Sequence, residues 1–333
     1  MKVFLKYDNK QGGNVFQTKR RSLMVSQESD LVHRNKKSRK RKFGQKSYIG
    51  YLFLMPWLLG LLFFRVGPMG ASLYFSLNHF DMLTAPNFIG FENYTNLFSD
   101  QRFLNSVRTT FTFVFLSVPL QLAFSLLVAV LLKKNRKGIR VYRAIYYLPS
   151  LFGGSVAVAI LWRQLFNQTG LLNRFLAIFG IEGQNWIASP DTALYTLIVL
   201  AIWQFGASMV IFLAALKQIP DDYYEAASID GVGKWHQFTR ITLPLLTPII
   251  FFNLIMQIIN AFQSFTSAFI VSGGTGGPLD STLFYSLYLF IVAFGQFRMG
   301  YAAAMAWVLL VIIGLVTGAI FMTSKFWVFY EDK

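Results

Sequence analysis

Apolar residues in this chain come in long blocks, not at the alternating or three-to-four spacing of a soluble fold. A helix needs about 20 mostly apolar residues to cross a bilayer. Six stretches qualify: 48–77, 106–132, 141–166, 192–216, 245–271 and 300–323. Their pattern predicts six transmembrane helices and an all-α integral membrane protein. Three intervening segments, 78–105, 167–191 and 272–299, are moderate in length. The last contains an aromatic amphipathic piece, 283–297, read as a re-entrant or interfacial helix. A seventh full span would strand the C-terminal tail, 326–333, on the wrong side. Residues 1–47 are polar and contain a basic block at 33–42. Nothing there can bury a core, so a flexible tail is expected. No secretory signal is visible, since the first apolar run begins near Tyr48. Met1 and Met24 are both candidate starts.

Composition agrees with this pattern. The 333 residues are 54% hydrophobic and only 14% charged, against about 25% charged in a soluble domain. There is no cysteine, which excludes a disulfide framework, a thiol nucleophile and a cysteine metal site. The three histidines, His33, His79 and His236, are far apart in sequence and suggest no metal cluster. A net charge of +16 could point to nucleic acid, but its distribution does not. Residues 1–47 hold 14 of the 31 lysines and arginines, and the segments that share a side with this tail raise that to 25. Positively charged loops stay in the cytoplasm. Both termini and the segment 217–244 are therefore expected there, with the basic tail against anionic headgroups of the membrane.

The polar segment between the fourth and fifth spans carries the most information. Pro220 suits a first helical turn. Asp221 and Asp222 place negative charge at that helix's positive end, and Asp222 with Glu225 can form a capping box. Glu225, Ala226 and Ala227 favour helix. Asp230 and Gly231 signal a turn. Trp235, Phe238 and Ile241 then share one face of a second short helix. Taken alone, such a hairpin could simply lie on the membrane surface.

Its spacing is more specific. Glu225-Ala226-Ala227, Gly231 and Ile241-Thr242-Leu243-Pro244 resemble the EAA loop of ABC-importer permeases without a gap. From about Tyr48 to Lys325 the chain looks like the maltose-type carbohydrate permeases. Supporting stretches are Leu54-Met55-Pro56, Phe88-Ile89-Gly90-Phe91-Glu92-Asn93-Tyr94, Trp162-Arg163-Gln164-Leu165-Phe166-Asn167, Gly170-Leu171-Leu172-Asn173, Trp203-Gln204-Phe205-Gly206 and Gly300-Tyr301-Ala302-Ala303-Ala304. The resemblance implies a type I ABC importer permease fold of six spans over 48–325, with a cytoplasmic coupling helix in the loop 219–244. It implies a second homologous permease, two ATPase subunits and an extracytoplasmic sugar-binding protein as partners. Glu225, Ala226, Ala227, Asp230, Gly231, Trp235 and Phe238 would then face the ATPase. The substrate would be a carbohydrate, an oligosaccharide on the overall look of the chain, or a polyol phosphate such as glycerol phosphate. The large periplasmic insertion of some maltose permeases is missing.

No catalytic constellation is apparent. The Gly231-Val232-Gly233-Lys234-Trp235 run lacks the upstream glycine and the hydroxyl residue of a P-loop. ATP and magnesium are therefore expected on the partner ATPase, with no cofactor on this chain. For the substrate, the fifth span offers Asn253, Gln257, Asn260 and Ser264. At 100° per residue they fall within about 60° of one another, a narrow polar stripe. Such residues face protein or a water-filled cavity. Amides suit sugar hydroxyls, because each offers donors and acceptors. The competing reading is packing between two permeases, at about 0.6 kcal/mol per hydrogen bond. Gln204 with Ser208, and Gln121, are further candidates, while Trp162 reads as an interface anchor. An ion-coupled transporter is the alternative of a different class. It would carry acidic residues or histidine within its spans, and here only Asp191, just before the fourth span, comes close.

Overall fold

The computed structural model describes residues 47–134 and 137–329. The basic tail, Arg136 and residues 330–333 lie outside the described residues, and so do the expectations attached to them. The chain divides into one unit ending at Gly70 and another beginning at Ala71. The first holds α1 (Ser47–Leu61) and a π turn, Leu62–Val66, and the division falls within α2 (Gly67–Ser76). The Gly67 N–H bonds the Leu62 carbonyl, five residues back. This wider turn suits Pro68, which lacks an N–H and whose ring would crowd the carbonyl four residues earlier.

The second unit is built around one long helix. A two-residue ribbon pairs β1 (Asn78–His79) with β2 (Asn87–Phe88), antiparallel, Asn78 opposite Phe88. The short α3 (Glu92–Leu97) follows, and the Asn93 side-chain amide donates to the Ser76 and Asn78 carbonyls at 2.9 and 3.0 Å. Then α4 (Gln101–Leu132) runs for 32 residues. It starts five residues before the span expected at 106, because the Asp100 carboxylate accepts from the Arg102 and Phe103 N–H groups and satisfies its first turn. Phe103, Phe113, Val114 and Val118 bury one face of α4, and Phe113 meets Phe284 with ring centroids 4.6 Å apart.

Around α4 the helices are broken. The third span, expected as one helix over 141–166, is α5 (Ile139–Phe152) and α6 (Val156–Leu165), bent by 101° at Gly153-Gly154. The fourth is α8 (Pro190–Trp203) and α9 (Gly206–Gln218), interrupted at Gln204-Phe205; the short α7 (Leu171–Ile178) precedes it. The hairpin holds α10 (Asp222–Ile229) and α11 (Lys234–Gln237), and a π turn, Phe238–Thr242, continues into α12 (Leu243–Phe262). The fifth span therefore stops at Phe262 and not at 271; after a turn, α13 (Thr266–Val271) packs beside α6. The apolar piece expected over 283–297 is α14 (Tyr285–Phe290) with a π turn, Ile291–Gly295. Last comes α15 (Met299–Trp327). Among the described residues five helices are long and apolar enough to cross a membrane, or six if the bent pair α5–α6 counts as one.

Candidate functional site

The hairpin is held by its own hydrogen bonds. Helix α10 ends in a Schellman motif: the Val232 N–H bonds the Ala227 carbonyl at 2.9 Å and the Gly231 N–H bonds the Ser228 carbonyl at 3.1 Å. Gly231 sits at φ +76°, as a turn after Asp230 requires. Gln237 on α11 then reaches back to the Ser228 hydroxyl and the Val232 carbonyl, both at 3.0 Å. The capping box expected between Asp222 and Glu225 does not form. Asp221 is the N-cap, its backbone is already helical, and no side chain caps the helix. Glu225, Ala226 and Asp230 are exposed, Ala227 and Phe238 half-buried. Trp235 is 71% exposed, with its ring 5.9 Å from that of Phe238. Ile229, 86% exposed, adds apolar surface that sequence periodicity does not mark. The hairpin thus presents exposed apolar side chains among acidic ones, in a segment too polar to enter lipid.

A second candidate lies where the breaks meet. The Gln121 amide on α4 donates to the Gln204 carbonyl (3.2 Å), and the Ser125 hydroxyl donates to the Phe205 carbonyl (3.0 Å). The Phe205 carbonyl already accepts from the Met209 N–H of α9 at 3.0 Å, so the Gln204 carbonyl is the one the break frees, and in an apolar environment such a group must be satisfied by protein. The Gln204 amide in turn donates to the Gly153 carbonyl at the α5–α6 bend (3.0 Å). Each break is thus closed by a glutamine from a neighbour. Beside them a cavity of about 120 Å³ is lined by Ser117, Gln121, Gln204, Gln257, Asn260 and Ser264, with Phe113, Ala201 and Ala261.

Four of the five substrate-path residues therefore meet in one cavity, together with Gln121. Gln257 donates to the Ser208 hydroxyl at 3.0 Å. Asn260 has no hydrogen-bond partner among the described residues. The side-chain oxygens of Gln204 and Gln257 are neither bonded by protein nor sealed off among them. Asn253 does not join this group: it is buried, and its amide donates to the Ile249 carbonyl one turn back on α12. Ser264 joins it for a different reason from the expected one. It lies beyond the C-cap Gln263, so the turn and not helical periodicity carries it to the cavity, and its hydroxyl is 3.3 Å from that of Ser267. Phe262, the last residue of α12, is buried in the core and leaves no ring face open to the cavity. Ser117 was missed, although Ser117, Gln121 and Ser125 recur every four residues on α4. Trp162, read as an interface anchor, is buried; its indole donates to the Thr196 carbonyl at 2.9 Å, and its ring lies 5.7 Å from Trp203.

The far end of α4 is tied down by charge. The Arg102 guanidinium grips the Asp280 carboxylate through two bonds of 2.8 and 2.7 Å. That holds Leu279 and Asp280 at positive φ, 51° and 57°. The Tyr288 and Tyr301 hydroxyls donate to the second Asp100 oxygen at 2.6 and 3.0 Å. Burial opposes the Asp100 charge, but the hydrogen bonds from Tyr288, Phe103, Tyr301 and Arg102 outweigh it and leave the carboxyl below its ordinary pKa.

Apolar helices, broken and re-satisfied by side-chain amides around a polar cavity, define a multi-pass membrane transport protein. Residues 94–324 match the profile of the inner membrane component of binding-protein-dependent transport systems, and the chain belongs to that family. It is 53% identical over 295 residues to the probable ABC transporter permease protein YesP of Bacillus subtilis, spanning 88% of this chain and 96% of that one. It is 34% identical over 260 residues to the trehalose/maltose transport system permease protein MalF of Thermococcus litoralis, spanning 77% and 85%. Identity is also 34%, over 256 residues, to the sn-glycerol-3-phosphate transport system permease protein UgpA of Shigella flexneri, spanning 75% and 86%. In fold it is similar to a chain of a bacterial alginate ABC transporter solved in complex with an alginate pentasaccharide-bound periplasmic protein. There the TM-score is 0.73 at 22% identity, over 84% of this chain and 95% of that one.

Proposed function

We propose that this chain is one permease half of an ATP-driven importer that carries a carbohydrate, most simply an oligosaccharide, across the bacterial cytoplasmic membrane. An extracytoplasmic binding protein delivers the substrate. A second, homologous permease completes the path, and two ATPase subunits bind ATP and magnesium. Both termini and the hairpin 219–244 face the cytoplasm, where Glu225, Asp230, Gly231, Trp235 and Phe238 meet the ATPase. The observation that carries the substrate reading is the cavity at the helix breaks, with an unpartnered Asn260 and the open oxygens of Gln204 and Gln257. Sugar hydroxyls can both donate to those oxygens and accept from the Asn260 amide. The names of the relatives, which include a trehalose/maltose permease, support the same class. The cavity lining holds no charged side chain, which favours hydroxyl recognition over a phosphate at this point of the path and offers proton coupling no titratable group there.

The test is uptake into proteoliposomes holding the full importer, with labelled malto-oligosaccharides as first probes. Uptake should require ATP and the binding protein and ignore ion gradients. Asn260→Ala or Gln257→Ala should lower it about fivefold, the worth of one lost hydrogen bond. Uptake driven by a proton or sodium gradient in the absence of ATP would defeat the proposal.

A further inference from the structure

The hairpin continues covalently into α12, but the cavity has two walls. Gln257 and Asn260 belong to α12, and Ser117 and Gln121 belong to α4. A force on the hairpin that reached α12 alone would pull one wall past the other. The joint between them is also soft at one point: the π turn Phe238–Thr242 separates hairpin from span, and such turns are less regularly bonded than α-helix.

One side chain bridges these parts. Tyr224 on α10 is half-buried. Its hydroxyl lies 2.9 Å from the Thr242 hydroxyl, so a bond reaches across the whole π turn to the start of α12. The face of its ring carries the Lys133 ammonium, 4.3 Å from the centroid. Lys133 is the residue that ends α4. The last carbonyl of α4, on Leu132, also accepts from the Arg143 guanidinium of α5 at 2.8 Å. From Lys133 to Gln121 is 12 residues of continuous helix, about 18 Å of stiff rod leading to the cavity.

We propose that Lys133 and Tyr224 form a strut that makes α4 and α12 move as one body when the hairpin is displaced. They are positioning residues: neither touches substrate nor nucleotide. The inference rests on the coupling role given to the hairpin above. Without the strut, hairpin motion would be absorbed in the π turn, and the direct packing of α4 on α12, such as Phe111 against Phe262 with ring centroids 5.1 Å apart, would have to hold the cavity walls alone.

The chain has no cysteine, so paired spin labels can be placed without background on α4 and α12. Leu127 and Phe252 are exposed on those helices and lie outside both candidate sites. The Leu127→Cys/Phe252→Cys chain is assembled with its ATPase and permease partners. The label-to-label distance is then measured nucleotide-free and after trapping with ATP and vanadate. With the strut intact, one distance should persist through both states. With Lys133→Met, trapping should add a second, shifted population. Lys133→Arg, whose guanidinium also sits well on an aromatic face, should restore the single distance. The proposal is overturned if the intact strut already lets the distance change, or if Lys133→Met leaves it fixed. It is also overturned if Lys133→Met sheds the ATPase subunits, which would assign the pair to assembly. An unsubstituted complex that traps no nucleotide refutes the coupling role itself, separately from the strut.

Discussion

Three glycines in or near the two sites differ in what holds them: conformation at one, space at another, neither at the third. Gly231 has open space where a Cβ would go, but its φ of +76° is one that L-residues avoid. Gly231→Ala should cost about 1–2 kcal/mol locally and weaken ATP hydrolysis stimulated by the loaded binding protein; Gly233→Ala, with φ −67° and open space, should not. At Gly206 the conformation is ordinary and the space is not. A Cβ there would sit 2.5 Å from the Tyr146 carbonyl oxygen and 2.8 Å from the Tyr147 Cα, both backbone atoms of α5. Gly206→Ala should push α9 off α5 and destabilise the fold by about 1–3 kcal/mol, read as a lowered melting temperature of the purified complex. Asp100 makes a prediction about pH. Its carboxyl titrates below the ordinary 3.8, so its hydrogen bonds stabilise the fold fully above that value, and the contribution fades as pH falls toward the lower native pKa. Acid unfolding should be shallower in Asp100→Asn than in the unsubstituted chain, and the two should differ least at the lowest pH.

Among the elements, what the sequence made legible and what it hid differ in kind. Block hydrophobicity marks where helices run, because about 20 apolar residues have few other fates. It does not mark where a helix bends, because the residues on both sides of Gly153-Gly154 or Gln204-Phe205 are equally apolar. The bends become stable only through partners distant in sequence, such as Gln121 and Ser125 on α4. Ser125→Ala, which would leave the Phe205 carbonyl with the Met209 N–H alone, should destabilise by about 0.5–1.5 kcal/mol, detectable by thermal unfolding in detergent. The polar stripe on α12 shows the same limit. Periodicity brought out Gln257 and Asn260, which do share the cavity. It also counted Asn253, which satisfies itself on its own helix, and it extended the helix through Ser264, past its end at Phe262. In the hairpin, spacing pointed to Gly231 and Trp235. It could not indicate Tyr224, whose importance lies in contacts to Lys133 and Thr242 that only the folded chain creates.

At the scale of the whole molecule, the proposed function requires one surface and one cavity to act together across the length of α4 and α12. The hairpin exposes Ile229 and Trp235 to water, and the cavity holds amides between broken spans, so energy applied at one has a defined place to arrive. The cavity lining is amide, hydroxyl and apolar, and the proposed function has the driving force enter through the hairpin. The most direct test is to express the chain with its proposed ATPase and permease partners, purify the complex, and measure ATP hydrolysis with the loaded binding protein. The same is done for Trp235→Glu, which places a charge on the exposed apolar face without touching the fold. The unsubstituted chain should hold the ATPase and respond to the binding protein, while Trp235→Glu should lose the ATPase or the response. If the unsubstituted chain holds no ATPase, or if Trp235→Glu, Glu225→Lys and Gly231→Pro all respond normally, the hairpin is not where energy enters and the account fails.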